Sequence, residues 1–266
     1  MKVGVVGCGS IGRRHVWNLL IHGVEPHVYD LAGGTPPLGA RAHKTLTSLM
    51  RSTPDAWMVC TPWDQHEQVV LQVLETQAPV FVEKPLSHSA ASARALAERA
   101  GNQITMVACN MRFHRDVQGF FVQPASAITV WRCDTNMEWW PGRAYGPPWL
   151  ECIHEVDLAL YRHGAVESIE SAQMTDVGGH IIMRHTSGVR SAISLRVDAD
   201  DPQRGVWTAE PPRYRAWDMS PTMGEAMYRD MLSHFLYCVE TEIQTCCPFS
   251  DGVAAIELVE RAAGAV

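Results

Sequence analysis

No apolar stretch of the chain approaches the ~20 residues that a membrane-spanning helix requires, so no membrane partner is expected. Positive charge is scarce: 22 Lys and Arg stand against 29 Asp and Glu, for a net charge of −7. That balance argues against a nucleic-acid partner or an anionic membrane surface. Cys-x-x-Cys pairs and a His-Glu-x-x-His run are both missing, and His154-Glu155 is followed by its next histidine only nine residues on. No metal is expected. The eight cysteines (8, 60, 109, 133, 152, 238, 246 and 247) show no zinc-type spacing, and several sit inside apolar strands. They read as reduced core thiols, which excludes a disulfide framework and points to a cytoplasmic protein. No signal-peptide pattern precedes the first strand, and no internal repeat or long low-complexity segment stands out. What remains is 266 residues, 46% hydrophobic and 19% charged, enough for one large or two modest globular domains.

The first thirty residues carry the strongest pattern. Val3–Val6 reads as a short apolar strand running into Gly7-Cys8-Gly9-Ser10-Ile11-Gly12, then an apolar-periodic segment with Val16, Leu19 and Leu20 on one face, then a second strand ending at Asp30. Strand, glycine turn, helix, strand and acid is the order a dinucleotide site requires. Gly7 permits the tight turn, Gly9 lets the backbone approach a pyrophosphate, and Gly12 lets the helix lie close on the strand. Ser10 and Ile11 open the helix, whose free N–H groups and partial positive charge face the phosphates. Asp30, eighteen residues past Gly12, is placed to bond the adenosine ribose hydroxyls. A carboxylate there repels a 2′-phosphate, and no arginine follows until Arg41, so NAD is expected over NADP.

Alternation continues to about residue 108. Further strands are expected at Ala56–Cys60, Val80–Glu83 and Thr105–Cys109, and helices at Leu46–Met50, His66–Thr76 and Ala90–Ala100, with Thr45 or Thr47, Asp64, and Ser87 or Ser89 signalling their starts. This predicts a parallel sheet covered on both faces. After Asn110 the pattern changes to a strand at Ala127–Asp134, an aromatic, proline-rich loop, and a helix at Cys152–Arg162. Short strands divided by turns follow, suggesting antiparallel pairing, and two helices close the chain at Thr222–Glu240 and Gly252–Ala263. The expected fold class is α/β: a doubly wound Rossmann domain over residues 1–110, then an α+β domain over 111–266 with a mainly antiparallel sheet. The last helix could pack back on the first domain.

Ligands of an open parallel sheet gather outside the carboxyl ends of its strands. Three motifs fall at such ends: Cys60-Thr61-Pro62-Trp63-Asp64-Gln65-His66, Val82-Glu83-Lys84-Pro85 and Cys109-Asn110-Met111-Arg112-Phe113-His114. A fourth, Glu151-Cys152-Ile153-His154-Glu155-Val156-Asp157, opens the helix of the second domain. Taken in order with the glycine turn, these resemble the Gfo/Idh/MocA family of NAD(P)-dependent sugar oxidoreductases. Ile153–Asp157 approximates the family's Ser-His-Glu-Ile-Asp segment.

The resemblance implies roles. Lys84 would sit beside the nicotinamide and the reacting carbon, its ammonium oriented by Glu83 and its bond to Pro85 open to the cis form. A cation there polarises a carbonyl or eases loss of a hydroxyl proton. His154 would be the general acid or base, with a reference pKa of ~6.5 suited to reversible transfer; a helix-capping role is the alternative. Asp157, one turn on, could hold the imidazole or stabilise the helix, and Glu151 could bind substrate or cap it. Thr61, Pro62 and His66 resemble the turn lining the nicotinamide ribose, though His66 could instead cap its helix. Asn110 and Arg112 would lie near the substrate, with Arg112 equally suited to a structural ion pair. Arg143, Tyr145 and Trp149 on the aromatic loop are candidate substrate contacts or loop packing.

The implied activity is hydride transfer between a nicotinamide and a carbon of a sugar, amino sugar or sugar nucleotide, in a homo-oligomer (dimer or tetramer). The alternatives are redox-neutral use of NAD in epimerisation or glycoside cleavage, and a non-catalytic NAD-binding sensor.

Overall fold

The computed structural model describes residues 1–123, 126–135, 148–197, 199–200, 203–209, 212–219 and 221–264. Two compact units emerge, Met1–Ala108 with Tyr228–Val253, and Cys109–Met227 with Ala254–Val266.

In the first unit, strands β1 (Lys2–Val6), β2 (Glu25–Tyr29), β3 (Arg41–Ala42), β4 (Ala56–Val59), β5 (Val80–Val82) and β6 (Thr105–Val107) form one sheet in the order β3-β2-β1-β4-β5-β6. Every pairing is parallel. The order reverses between β1 and β4, which is where a doubly wound sheet opens a crevice at its carboxyl edge. Val3, Val5, Trp57–Val59 and Val80–Val82 have no exposed surface. Continuous apolar runs of this kind belong to strands buried on both faces.

Helices α1 (Ser10–Ile21), α2 (Leu46–Met50), α3 (His66–Leu74) and α4 (Ala90–Ala100) supply the cover. Their starts follow local chemistry. Thr45 and Ser48 form a reciprocal capping box at α2, and Ser89 accepts the Ser92 N–H at α4, settling which of the candidate caps is used. A 3-10 turn, Trp63–Gln65, precedes α3 and takes up Asp64, so Gln65 rather than Asp64 stands at the N-cap, without a side-chain hydrogen bond.

In the second unit, β7 (Ile128–Asp134), β8 (Val166–Thr175), β9 (Gly178–His185), β10 (Arg190–Arg196), β11 (Arg204–Ala209) and β12 (Pro212–Ala216) make a sheet ordered β12-β11-β7-β10-β9-β8. Four of its pairings are antiparallel and one, β7 with β10, is parallel. Alternation along β10 buries Ser191, Ile193 and Leu195 and leaves Arg190 and Arg196 outside. Before β7 come a 3-10 turn, Asn110–Phe113, and the short α5 (Arg115–Phe121). Helix α6 (Ile153–His163) lies against β7 and β10 and ends at Gly164, whose φ of +82° suits a glycine stop. Helices α7 (Pro221–Thr241) and α8 (Phe249–Ala263) each contribute residues to both units. Among the described residues, no helix is long and apolar enough to cross a membrane.

His163, the last residue of α6, is buried against the rings of Trp131 and His185. Burial, helped by His185 and Arg162, holds its pKa down at about 4. The unfolded chain takes up this proton near ~6.5, whereas the fold resists it until the lower value. The stabilising contribution of neutral His163 is therefore complete above the unfolded pKa and is lost as pH falls through the window between the two. His163→Gln is expected to flatten the fall of the urea midpoint across that window, and an unchanged slope would contradict the assignment.

Candidate active site

The glycine turn is built by contact as well as by spacing. Gly7 has φ +94°, donates its N–H to the Tyr29 carbonyl at 2.8 Å, and would place a Cβ 2.6 Å from the Cys60 carbonyl oxygen. A Cβ on Gly12 would fall 2.1 Å from the Gly7 oxygen, so only glycine lets α1 approach β1 this closely. Gly9 faces open space, with nothing within 4 Å of an added Cβ. It caps α1 without a side-chain hydrogen bond, and no acid occupies the first turn. Ser10 and Ile11 begin that turn, leaving backbone N–H groups for an anion.

Asp30, directly after β2, accepts the Cys8 N–H at 2.5 Å and the Gly34 N–H at 3.1 Å. One carboxylate thus staples the glycine turn to the Gly-Pro loop and retains acceptor capacity for a ribose hydroxyl. Beside it lies a cavity of about 520 Å³ whose walls include Asp30, Leu31, Thr35, His43 and Lys44. That volume lies in the range of small-molecule and cofactor sites.

Sequence reasoning passed over His43. It lies 2.9 Å from His27, which is itself 2.9 Å from the Glu25 carboxylate, and burial lowers the pKa of His43 first, with His27 adding to the effect.

At the carboxyl ends of β4 and β5 the motif residues take distinct places. The Lys84–Pro85 bond is cis. One Glu83 oxygen is 2.7 Å from Nε2 of buried His15 on α1, and the other accepts the Lys84 backbone N–H at 3.2 Å. A carboxylate only accepts, so His15 donates from Nε2. The sequence offered no sign of His15, which looked like one more position on an amphipathic helix.

His66, expected as a cofactor contact, has no exposed surface. Its two ring nitrogens lie 2.9 Å from the Pro85 and Thr61 carbonyl oxygens, tying the two strand-end loops together. Burial lowers its pKa, while the two carbonyls oppose that shift. Thr61 Oγ1 is buried without a hydrogen-bond partner among the described residues, and Pro62 leads into the 3-10 turn.

In the second unit, His154 is the second residue of α6 and 7% exposed. Arg112 donates from Nε to Asp157 at 2.8 Å and from Nη2 to its other oxygen, and both side chains are 3% exposed. The Arg112 guanidinium also lies 4.1 Å from the centre of the Tyr161 ring. Of the readings open to Arg112, the geometry displays the structural pair, with Asp157 as its partner. Asn110 is buried in the 3-10 turn, its Oδ1 without a partner among the described residues.

Glu151 and Glu155 share Arg204 of β11. Its Nη1 lies 2.8 and 2.9 Å from the two Glu155 oxygens, and its Nη2 lies 3.1 Å from Glu151 Oε1. Burial pushes the Glu155 pKa up against the pull of Arg204. Trp149 is buried, with Cζ2 3.3 Å from where a Gly179 Cβ would lie, so its place is in the packing. Arg143 and Tyr145 lie outside the described residues.

A dinucleotide fits these residues: the open face of Gly9, the uncapped start of α1, the acid beside a cavity and the orphaned Thr61 hydroxyl supply its phosphate, ribose and hydrogen-bonding needs. The first unit is thus a dinucleotide-binding Rossmann fold. Residues 1–111 match the model of the oxidoreductase family with NAD-binding Rossmann fold, GFO_IDH_MocA.

Inositol 2-dehydrogenase of Rubrobacter xylanophilus is 31% identical over 181 residues, 60% of this chain and 52% of that protein. The 4-carboxy-2-hydroxymuconate-6-semialdehyde dehydrogenase of Sphingobium sp. is 26% identical over 198 residues, 65% of this chain and 62% of that protein. The chain thus spans under two thirds of the length of either relative. Among solved structures, a probable dehydrogenase from Thermotoga maritima aligns with a TM-score of 0.83 at 20% identity, over 99% of this chain and 96% of that one. A UDP-N-acetylglucosamine 3-dehydrogenase from Acidithiobacillus ferrooxidans aligns with a TM-score of 0.81 at 16% identity, over 100% and 97%. These likenesses show the two-part fold.

Proposed function

We propose that this protein is an NAD(H)-dependent oxidoreductase acting on a CH–OH group of a polyol, sugar or sugar nucleotide. The observation that carries the reading is the cradle of Gly7, Gly9 and Gly12 beside the Asp30 cavity, in a unit whose β5 ends in Glu83-Lys84-Pro85. The relatives support the substrate class: one is named for inositol and a structural neighbour for UDP-N-acetylglucosamine.

The bound nicotinamide supplies hydride acceptance and donation. The chain supplies the rest. Lys84 places a positive charge on the substrate oxygen, stabilising the alkoxide character that develops as the hydroxyl is oxidised. His154 takes the hydroxyl proton, and returns it in the reverse direction. Asp30 receives the adenosine ribose and disfavours a 2′-phosphate, giving NAD preference over NADP. Asn110, Arg112, Arg143, Tyr145, Glu151 and Asp157 remain the proposed surroundings of the substrate, with Arg112 and Asp157 acting as a pair. A cytoplasmic homo-oligomer completes the proposal.

Titration of tryptophan-sensitised NADH and NADPH fluorescence tests it, followed by NAD⁺ turnover with myo-inositol and UDP-N-acetylglucosamine. Saturable NADH binding, weaker for NADPH, with turnover of either compound is the expected result. NADPH preference would overturn the role of Asp30. Binding without turnover across a wider sugar panel would replace the enzyme with a dinucleotide sensor.

A further inference from the structure

Arg204 belongs to no motif. It opens β11 opposite Cys133 of β7, and its guanidinium is nearly buried, with a side chain 12% exposed. Both partners flank His154 in the chain: Glu155 follows it, and Glu151 lies three residues before it. The Glu155 carboxylate has no exposed surface and meets Nη1 through both oxygens. Glu151 meets Nη2 through its side chain at 3.1 Å and its backbone carbonyl at 3.4 Å. One planar fork therefore fixes the chain on either side of His154, at the start of a helix where few backbone hydrogen bonds yet constrain it.

The charges do not cancel: two carboxylates face one guanidinium, with the buried thiols of Cys133 and Cys152 alongside. Such a cluster is a costly way to stabilise a core, since apolar replacement of a buried ion network is often neutral or stabilising. A directional hold on a neighbouring group gives a reason for keeping it.

We propose that Arg204 is a positioning residue for proton transfer, holding His154 through Glu155 and Glu151. This rests on the reading of His154 as the general acid or base. A general base must lie within hydrogen-bond reach of its proton, and misplacement by about 1 Å can cost about a hundredfold in rate.

The test uses the full chain, NAD⁺ and whichever of myo-inositol and UDP-N-acetylglucosamine turns over, with NADH affinity and thermal midpoint measured in parallel. Arg204→Lys keeps the charge but not the fork, and is expected to lower kcat about tenfold or more. KM and NADH affinity stay within about threefold, because binding equally in ground and transition states is untouched. Glu155→Gln/Arg204→Gln leaves only the Glu151 carboxylate of the three charges, so its thermal midpoint should recover in part relative to Arg204→Gln while kcat stays low.

A merely structural arginine gives the opposite result: kcat returns with the midpoint, or Arg204→Lys matches the parent, and either outcome overturns the proposal. Should Arg204→Gln not fold, the Arg204→Lys comparison stands alone. Full activity in His154→Ala would instead sink the reading of His154, and the proposal with it. Absence of turnover in the parent on both compounds and across the wider sugar panel would do the same.

Discussion

Alanine at His154 is expected to lower turnover by about 10²–10⁴-fold, the usual worth of a positioned acid–base group, with NADH affinity left within a few-fold. Alanine at Lys84 should cost about 10²–10³-fold, the scale of losing one donor to a developing oxyanion, with the same small effect on NADH. The separation of effects follows from construction. The groups assigned to the phosphates and adenosine are backbone amides at Gly9, Ser10 and Ile11 and the carboxylate of Asp30, none of which depends on either side chain. The Lys84 backbone is also held independently of its ammonium, since its amide N–H is bonded to Glu83. Replacing the side chain therefore removes a charge without releasing the loop. Steady-state rates from the nicotinamide absorbance band, set beside a fluorescence titration, separate the two quantities. Full activity in either variant would remove that residue from the mechanism. A matched loss of NADH affinity would move its role from chemistry to cofactor binding.

The sequence disclosed what depends on local chemistry. The Gly7–Gly12 turn was legible because each glycine answers a steric demand of its own neighbourhood, and the Gly7 and Gly12 demands reappear as 2.6 and 2.1 Å clashes for an added Cβ. The caps at Thr45 and Ser89 were legible because capping is decided within four residues. What the sequence concealed is non-local or too short to have a period. Strand β3 is two residues long, and β12 is exposed along its whole length, so neither alternates. The parallel match of β10 to β7 joins strands separated by α6, β8 and β9, and only the assembled sheet makes it visible. The same holds for site residues. His154 and Lys84 sit in motifs, whereas His15 and Arg204 are marked only by partners 68 and 49 positions away in the chain. His66 illustrates the middle case: its motif marks it as a candidate, but only the structure discloses its burial and its two carbonyl partners.

Asp157→Ala is expected to destabilise the second unit by about 3–5 kcal/mol, because it removes the carboxylate that pairs with a buried guanidinium. The asymmetry of buried ion pairs makes this loss larger than the worth of the pair itself. Desolvating Arg112 is costly, and the Asp157 carboxylate offsets that cost through paired donors at Nε and Nη2, each held in the plane the guanidinium imposes. The Tyr161 ring, 4.1 Å from the guanidinium carbon, gives the cation one further favourable face but no charge neutralisation. Asp157→Asn keeps the shape and supplies an acceptor, so it should lose less than the alanine variant. Arg112→Met/Asp157→Leu replaces both partners with apolar groups and should recover most of the stability, since neither charge is then left buried. Urea unfolding of the four proteins, with NADH binding as a separate report on the first unit, distinguishes loss of the pair from general collapse. A cost below about 1 kcal/mol for Asp157→Ala is the value of an exposed ion pair, and would mean that water reaches the guanidinium. Turnover then adds the functional half. If the double variant is stable but inactive, Arg112 and Asp157 serve the substrate as well as the fold. If it is stable and active, their work is confined to holding the start of the second unit against α6.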